Sequence, residues 1–434
     1  MRLSRVPVRI AWMALLALTA IAPSRAARAD SDAICGRYDE SGPFPILSVW
    51  GTPRERGIAQ GHFLAPRIKF LFEDYLGNAA LSGGAKRYND LLDKFVHPPF
   101  VVTSPRMRAE IQGIVEGMTR RLGADGMRMP ALDRPIDERD LLAFNLISDL
   151  SGIACSSFAA WGRHTADGKT VAGRNLDWYW TGAIAETQFL IVQAATADRA
   201  GWAAVTWPGC VGAFTGMNQF GIAAAIHDVS VHQSVPPIGV TPRCLLVREM
   251  LERSTASTGN DDLLELFRRY HAAVGANIFV ALPGKDRSGG LVFEMDSNRE
   301  ATNGATMRSP GAERSWIICT NHHRLRPGNR PARPSADGDT GRCDRYDELQ
   351  HRIARAGIDA PPIDAENAWT LLESVGQCVT PQRRLHTLHA AVFEPDAHRM
   401  HAALSRGRRS ALQEQRVTLS VDSLVDGATP DVKK

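Results

Sequence analysis

The sequence predicts an α+β protein built as a layered sandwich, and three observations lead to this class. The chain up to residue 154 carries apolar residues at helical spacing. At Cys155 the pattern changes to the alternation of β-strands, and Asp167-Gly168 between two such runs is a strong hairpin signal. Further strands, then helices, then strands follow, an order that favours packed α and β layers.

The first 29 residues have the pattern of a secretory signal peptide. Three arginines lie among the first nine residues, an apolar run covers residues 10–22, and Ala27-Arg28-Ala29 offers a small-x-small cleavage site. The apolar run is shorter than the roughly 20 residues that a membrane helix needs. We therefore expect a secreted or periplasmic protein with no stable membrane span.

Size and charge narrow the function classes. A mature chain of about 400 residues suits two domains, or one large domain with a prosegment. The net charge is +4, and the basic residues are scattered. The densest basic stretch, residues 324–333, is rich in Pro and Gly and is interpreted as solvated. Most of it lies in a predicted surface loop at residues 326–341. Because a nucleic-acid binder shows a basic stripe, we expect no nucleic-acid partner.

Seven cysteines are present, and seven is an odd number. In an exported protein an unpaired cysteine indicates a free reactive thiol. The other six either pair in an oxidising compartment or remain buried thiols. No Cys-x-x-Cys occurs, which disfavours a thiol-redox protein. The cysteines are Cys35, Cys155, Cys210, Cys244, Cys319, Cys343 and Cys378.

Residues 30–154 are predicted to be mainly helical. A short strand near Ile46 leads into a Gly-Thr-Pro turn and a helix through His62–Tyr75. A last helix begins near Pro135 and ends at Gly152. The intervening stretches that are rich in Gly, Pro and polar residues are predicted to be loops, at 79–90 and 122–135.

The chain after Cys155 alternates between strand-like and helix-like stretches. Helices are predicted at 243–253, 261–270, 343–355 and 364–374. Strands are predicted at 155–165, 169–173, 187–194, 202–207, 221–227, 276–282, 291–295, 315–320 and 385–393.

Cys155 lies where the helical pattern gives way to the strand pattern. Small residues flank it, Gly152 and Ala154 before and two serines after, and they allow close backbone approach. An internal cysteine nucleophile needs a neighbouring base, usually histidine. A cysteine at a chain terminus has its own α-amino group, with a pKa of about 7.7–8.0, as base. Core packing is the alternative role for a single cysteine.

Five blocks of sequence resemble one family in its own order. They are Cys155–Trp178, which begins Cys-Ser-Ser and contains Arg-Asn-x-Asp, Ile46–Gly61, Pro208–Asp228, Cys319–His322 and Thr387–Leu404. Together they resemble the acyl-coenzyme A:6-aminopenicillanate acyltransferase-like proteins, the C45 peptidase group of the N-terminal-nucleophile hydrolases. The blocks extend over nearly the whole mature chain.

The resemblance implies a four-layer αββα sandwich and autocatalytic removal of a prosegment. It implies three segments: a signal peptide at 1–29, a helical prosegment or α-chain at 30–154, and the hydrolase core or β-chain at 155–434. Residues 30–154 are then an internal partner of the core.

The resemblance also implies roles for four residues. Cys155 is the nucleophile, and its freed amine is the general base. Asp177 holds that amine, Arg174 steadies the thiolate, and the amide of Asn321 points at the oxyanion. Residues three apart on a regular strand face opposite ways, so Arg174 and Asp177 converge only if the strand bends or ends near Leu176. A surface ion pair is the alternative for these two.

Three more positions are candidate site residues. Asp228 stands where relatives carry Asn or Glu, and an ionised aspartate cannot donate a hydrogen bond to an oxyanion. Trp178 either lines an acyl pocket or packs in the core. Arg345 matches a later family arginine near the site, or else faces solvent. The His386-x-x-His389 pair lacks an acidic partner at ligand spacing, so we expect no metal and no cofactor.

The predicted function is hydrolysis of amide bonds through a thioester. The substrate is a small acyl-amide or a peptide. Outside the cytoplasm coenzyme A is not expected, which favours hydrolysis over acyl transfer. One alternative is a lipid amidase similar to acid ceramidase, and another is a non-catalytic periplasmic ligand-binding protein on the same fold.

Overall fold

The computed structural model describes residues 34–77, 83–150, 154–229, 238–284, 289–296, 304–311, 313–326, 343–378 and 385–428. The predicted signal peptide lies outside the described residues. So does the predicted loop 326–341 apart from Arg326, and so does Gly152.

Two large sheets form the centre of the molecule in the described residues. The six-stranded sheet is antiparallel throughout and has the spatial order β14 (Trp316–Cys319), β5 (Ala154–Ala160), β6 (Val171–Tyr179), β15 (Leu385–Glu394), β16 (Arg399–Leu404) and β17 (Val417–Ser420). The nine-stranded sheet has the spatial order β1 (Gly36–Asp39), β2 (Ile46–Val49), β7 (Phe189–Gln193), β8 (Trp202–Thr206), β9 (Thr215–Asn218), β10 (Ala223–Val229), β11 (Gly275–Ala281), β12 (Gly290–Met295) and β13 (Ala305–Arg308). A separate small hairpin pairs β3 (Arg128–Met129) with β4 (Arg134–Pro135).

Helices lie in both outer layers. Before Cys155 they are α1 (Pro53–Gly77), α2 (Ala85–Phe95), α3 (Pro105–Gly126), α4 (Glu138–Asn145) and α5 (Ile147–Leu150). After Cys155 they are α6 (Gly182–Glu186), α7 (Arg243–Arg253), α8 (Asn260–Arg268), α9 (Asp344–Arg355), α10 (Ala365–Ser374) and α11 (Val421–Asp426). None of the helices in the described ranges is long and apolar enough to cross a membrane.

Alternation along the strands divides each sheet into two apolar faces. Ala159 and Ala172 belong to the core between the two sheets, and we call their side of the six-stranded sheet its inner face. Phe158 and Val171 belong to a second core shared with α9 and α10, on the outer face. Helices α1 and α7 contact the nine-stranded sheet. The predicted four-layer αββα sandwich is confirmed.

The segment before Cys155 is part of the same compact unit as the rest, which covers residues 35–434. Its strands β1 and β2 extend the nine-stranded sheet, where β2 pairs in parallel with β7. The boundary at Cys155 is thus not a gap between separately packed bodies. Its significance as a processing site stays a prediction.

The two long helices of this segment, α1 and α3, pack closely because glycines face each other. A Cβ at Gly57 would lie 2.0 Å from the Glu110 carbonyl oxygen, and one at Gly113 would lie 2.2 Å from the Arg54 carbonyl oxygen. Gly61 has the same relation to α3. The glycines of the Ile46–Gly61 block therefore have a packing role, since a side chain there would push the helices apart.

Some sequence predictions of elements are wrong. The predicted loop at 79–90 becomes helix α2 from Ala85, because Tyr88 and Leu92, one turn apart, are buried on one face. The predicted loop at 122–135 begins as the end of α3, with a break at Gly123 (φ 72°), and continues as the small hairpin. Four four-residue strands, β1, β9, β13 and β17, were not predicted, because they are too short for a clear alternation.

Candidate active site

Cys155 lies in β5, between β14 and β6, and is fully buried. It shares the inner face with Ala159, so its thiol points between the two sheets. Burial raises the pKa of the Cys155 thiol, while Arg174 opposes that shift by charge and by hydrogen bonding. The thiol is therefore hidden from solvent but has a cation beside it.

Arg174 lies in β6 on the inner face, fully buried. Its Nη2 donates to the Ile226 carbonyl at 2.7 Å and its Nε to Thr215 Oγ1 at 3.3 Å, both in the nine-stranded sheet. The remaining Nη1 donates to the Asn175 carbonyl at 2.7 Å. These bonds fix the guanidinium between the sheets, in the space that the thiol enters.

Asp177 lies on the outer face of the same strand and is also fully buried. Its Oδ1 accepts from Thr387 Oγ1 at 2.6 Å, and its Oδ2 lies 4.0 Å from Arg345 Nη1. Burial raises the pKa of the Asp177 carboxyl to about 6, against the opposing effects of Arg345, Thr387 and Arg174. In the register of β5 and β6, Asp177 is the partner of Ala154, the residue before Cys155.

Arg174 and Asp177 do not converge, because β6 continues as a strand to Tyr179. Arg174 approaches the site from the inner face and Asp177 from the outer face. The thiol of Cys155 is on the side of Arg174, and the backbone between Ala154 and Cys155 lies beside Asp177 in the register. Arg174 is therefore close to the thiol of Cys155, whereas Asp177 is close to its backbone nitrogen.

Asn321 follows β14 and contacts the backbone of Cys155. Its Oδ1 accepts from the Cys155 amide nitrogen at 2.7 Å, and its Nδ2 donates to the Asp228 carbonyl at 2.8 Å. In this chain, with the peptide bond before Cys155 intact, the amide donor of Asn321 is thus engaged by the backbone.

Arg345 lies in the first turn of α9, and its side chain is 21% exposed. Its Nη1 donates to the Cys155 carbonyl and, at 2.9 Å, to Ser156 Oγ. Its Nη2 donates to Asn321 Oδ1 at 2.8 Å. The solvent-facing alternative for Arg345 therefore does not describe this structure, in which it joins the groups around Cys155.

Asp228 contacts the site through its backbone. Its carboxylate turns away from Asn321 and accepts from Arg243 Nη1 at 2.9 Å. An ionised aspartate at position 228 cannot donate a hydrogen bond to an oxyanion. In the structure its carboxylate instead accepts a hydrogen bond from Arg243. Sequence reasoning did not identify Arg243 as part of this arrangement.

Trp178 lies on the inner face of β6 and is 3% exposed. Its ring packs edge-on against Trp207 at 5.4 Å, and Trp207 packs in the same way against Phe214 at 4.9 Å. Together with Tyr75 and Phe144 from the segment before Cys155, these rings surround an apolar space that has no room for a water molecule. Trp178 therefore packs in the core of this intact chain, and an acyl pocket forms there only if the rings move apart.

Sequence reasoning missed two threonines that hold the charged groups. Thr387 binds Asp177, and Thr215 binds both Arg174 and His389, whose Nε2 lies 2.8 Å from Thr215 Oγ1. Both threonines lie inside blocks that resemble the family, but only the pairing of β6 with β15 and the stacking of the two sheets reveal their partners.

The cysteines and histidines add no second site in the described residues. All seven cysteines are free thiols there. No group of three or more metal-ligand side chains occurs among the residues described. His389 instead binds Thr215 and Gln188.

A family model matches more than half of the 434 residues. The model is described as acyl-coenzyme A:6-aminopenicillanic acid acyl-transferase, and it matches residues 164–409. The match contains Arg174, Asp177, Asn321 and Arg345 and begins after Cys155.

Individual relatives are more distant. The Dictyostelium discoideum protein dcd1A is 23% identical over 185 residues, which are 40% of this chain and 42% of that protein. The chain thus spans less than half the length of this relative. Among solved structures, the Caenorhabditis elegans ortholog of N-acylethanolamine-hydrolyzing acid amidase is 17% identical, with a TM-score of 0.39 over 56% of this chain and 93% of that chain. Penicillin V acylase from Agrobacterium tumefaciens is 13% identical, with a TM-score of 0.39 over 62% of this chain and 88% of that chain.

Proposed function

The chain belongs to the acyl-coenzyme A:6-aminopenicillanic acid acyl-transferase family, whose enzymes hydrolyse amides or transfer acyl groups. From this premise we propose that it is an exported cysteine N-terminal-nucleophile hydrolase that cuts itself between Ala154 and Cys155. The mature enzyme then hydrolyses linear amide bonds through a thioester on Cys155.

The observation that carries this proposal is the set of groups around one peptide bond. Asn321 binds the nitrogen of Cys155, and Arg345 binds its carbonyl oxygen. Arg174 lies on the face of the thiol, and Asp177 is paired with Ala154 across the strands. A cysteine kept only for packing has no need of a buried arginine, a partly buried arginine and a buried carboxylate around it.

Self-cleavage follows as an acyl shift. The thiol loses its proton to water on the inner face, where the charge of Arg174 favours the thiolate, and Sγ attacks the carbonyl carbon of Ala154. The carbon–nitrogen bond then breaks, and the Cys155 nitrogen takes the proton. Water hydrolyses the resulting thioester, giving a carboxylate at Ala154, the free thiol and a free α-amine. Asp177, which is paired with Ala154 across the strands and has a pKa of about 6, is suited to deliver the proton to the Cys155 nitrogen.

The mature enzyme repeats this chemistry on another amide. The α-amine of Cys155 takes the thiol proton and delivers it to the leaving amine. Asp177 orients the α-amine, and the charge of Arg174 favours the thiolate. Asn321 then faces a free α-amine in place of the peptide N–H, because cleavage breaks the bond between Cys155 and Ala154. Its amide can then turn its donor toward the oxyanion, where a single such donor contributes about 10²–10³ in kcat.

The substrate's acyl group is apolar in this proposal. The pocket for it opens, in this proposal, among the rings around Trp178, which lies two residues along β6 from Leu176, the strand partner of Cys155. Its walls are aromatic and aliphatic, and such walls bind apolar groups. Each methylene buried there contributes about 0.8 kcal/mol, or roughly fourfold in kcat/KM.

The same lining favours a second candidate, an amidase for long-chain lipid amides. A series of p-nitroanilides from acetyl to dodecanoyl distinguishes the two. An optimum at hexanoyl or phenylacetyl supports a small-amide hydrolase, and a continued rise to dodecanoyl supports the lipid amidase. Equal rates across the series would contradict the assignment of the acyl group to this pocket.

Residues 30–154 remain bound to the core as a separate chain in this proposal. Glu110 in α3 and Arg248 in α7 are both buried and form two short contacts, Nη2–Oε2 at 2.7 Å and Nη1–Oε1 at 3.0 Å. Separation of the two parts would break this buried pair and expose both side chains, leaving Arg248 with Glu252 and Glu110 with Arg56.

Mass spectrometry of the purified protein tests the proposal. We expect two fragments, the second beginning at Cys155, and we expect Cys155→Ser to abolish amide hydrolysis and to block or slow cleavage. The exposed Cys378 provides the matched control, and Cys378→Ser keeps both activities. An uncut wild-type chain, or a Cys155→Ser variant with full hydrolysis, contradicts the proposal.

A further inference from the structure

Arg243, the first residue of α7, is a buried arginine near the proposed cleavage site. Its side chain is 1% exposed, and it lies between two carboxylates. Asp228 Oδ1 accepts from its Nη1 at 2.9 Å. Asp149 Oδ1 lies 3.8 Å from its Nε, and both Asp149 oxygens lie 3.4 Å from its backbone nitrogen.

The two carboxylates belong to opposite sides of the proposed cut. Asp149 is in α5, six positions before Cys155, and stays with the N-terminal fragment. Asp228 is in the core, and its carbonyl oxygen accepts from Asn321 Nδ2. Asn321 Oδ1 in turn accepts from the Cys155 nitrogen. Arg243 thus links α5 to the groups that bind the scissile peptide.

The two contacts differ in strength. The bond to Asp228 is short, whereas both contacts to Asp149 are long. In the described residues Nε and Nη2 of Arg243 have no hydrogen-bond partner. Unfilled donors on a buried guanidinium cost free energy, so this arrangement is poor as a device for stability alone.

We propose that Arg243 is a positioning residue for self-cleavage, which rests on the function proposed above. Arg243 is fixed to the core by Asp228 and attracts Asp149. It thereby holds the end of α5 against β10 and keeps the chain from α5 to Cys155 in place for attack on the Ala154 carbonyl. An attack that needs near-contact geometry is sensitive to displacements of about 1 Å.

The test compares two buried aspartates of the N-terminal segment. Asp149→Asn keeps the shape of the side chain and removes the charge that faces Arg243. Asp140 in α4 is the matched control: it is equally buried and pairs with Arg134 at 2.6 and 2.8 Å, with no contact to Arg243. Cleavage is followed by pulse–chase in cell-free translation of the full chain, and folding by the thermal midpoint of the uncut chain.

We expect Asp149→Asn to slow cleavage at least tenfold and Asp149→Glu to recover most of the rate. We expect Asp140→Asn to lower the thermal midpoint but to cleave at the wild-type rate. Wild-type cleavage in Asp149→Asn would overturn the proposal. So would equal slowing in both variants, because that result indicates general loosening of the fold.

Failure of the inference is distinguishable from failure of the proposed function. If the wild-type chain stays whole, the proposed function itself is wrong. If the wild-type chain cleaves and Asp149→Asn cleaves equally fast, only the role of Arg243 is wrong. If Asp149→Asn does not fold, Asp149→Glu and Asp149→Ser are compared instead. Asp149→Glu keeps the charge on a longer side chain, so we expect it to cleave more slowly than the wild type but faster than the neutral Asp149→Ser. Equal rates in these two variants would overturn the proposal.

Discussion

Arg174 and Asp177 lie three residues apart on β6 and face opposite sides of the six-stranded sheet. Arg174 bonds to the nine-stranded sheet, and Asp177 bonds to Thr387 in the strand beside it. Cys155 lies between them, with its thiol on one side and its backbone nitrogen in the strand itself. In the proposed enzyme, thiol activation by Arg174 and amine orientation by Asp177 therefore take place on separate faces of one strand.

This arrangement predicts opposite effects on the thiol. Arg174 lowers the pKa of Cys155 and Asp177 raises it, and each effect is smaller than the increase caused by burial. We expect Arg174→Gln to raise that pKa and Asp177→Asn to lower it. The measurement is the pH dependence of iodoacetamide alkylation, followed on the Cys155 peptide by mass spectrometry. Shifts in the same direction in both variants would contradict the assignment.

Asp177 also predicts a pH dependence of stability. Its folded pKa of about 6 lies above the unfolded value of about 3.9, so the folded state retains the proton at higher pH. The contribution of Asp177 to stability is therefore greatest below about pH 4 and falls as the pH rises through about 6, by about 2 kcal/mol between pH 4 and pH 7. Urea unfolding of Cys155→Ala, which keeps the chain whole, measures this decrease.

The double variant Cys155→Ala/Asp177→Asn isolates the contribution of Asp177. We expect its unfolding free energy to lack that decrease of about 2 kcal/mol, because asparagine does not titrate. Parallel pH profiles of the single and double variants would show that Asp177 does not titrate near pH 6 in the folded chain.

The close approach of α1 and α3 predicts a strong effect of one methyl group. Gly57→Ala places its Cβ 2.0 Å from the Glu110 carbonyl oxygen, so the helices must separate. We expect a loss of about 1–3 kcal/mol in unfolding free energy. Gly182→Ala is the control, because a Cβ at Gly182 meets no atom within 4 Å. Similar losses in both variants would point to backbone propensity and not to packing.

From the buried pair Glu110–Arg248 we predict that the charge of Glu110 helps to hold the N-terminal segment to the core. We expect Glu110→Gln to cost about 3–5 kcal/mol, because it leaves Arg248 short of a buried partner. After cleavage, the two fragments should separate at a lower urea concentration in size-exclusion chromatography. Glu116→Gln, on the same helix but 26% exposed, is the control and should change the midpoint little. Equal midpoints for both variants would contradict this role.

Much of the site was predictable because its residues lie inside contiguous sequence blocks. Cys155, Arg174, Asp177, Asn321 and Arg345 were all predicted, and the structure brings them together. Their partners were not predictable, because Thr215, Thr387 and Arg243 meet them only through strand pairing and the stacking of the two sheets. The strand β6 was predicted to end at Gly173 but extends to Tyr179. Its polar residues interrupt the apolar alternation on which the prediction depends.

The sequence by itself determined the layered class, the change of character at Cys155 and the candidate site residues, because these depend on local periodicity and on residues close together in the chain. Tertiary structure alone decided which face each side chain occupies relative to its partners, how Asp228 is used, and that Arg345 turns inward. These depend on contacts between residues far apart in the chain. Arg345 and Cys155, 190 positions apart, share a hydrogen bond only because α9 packs on the outer face of β5.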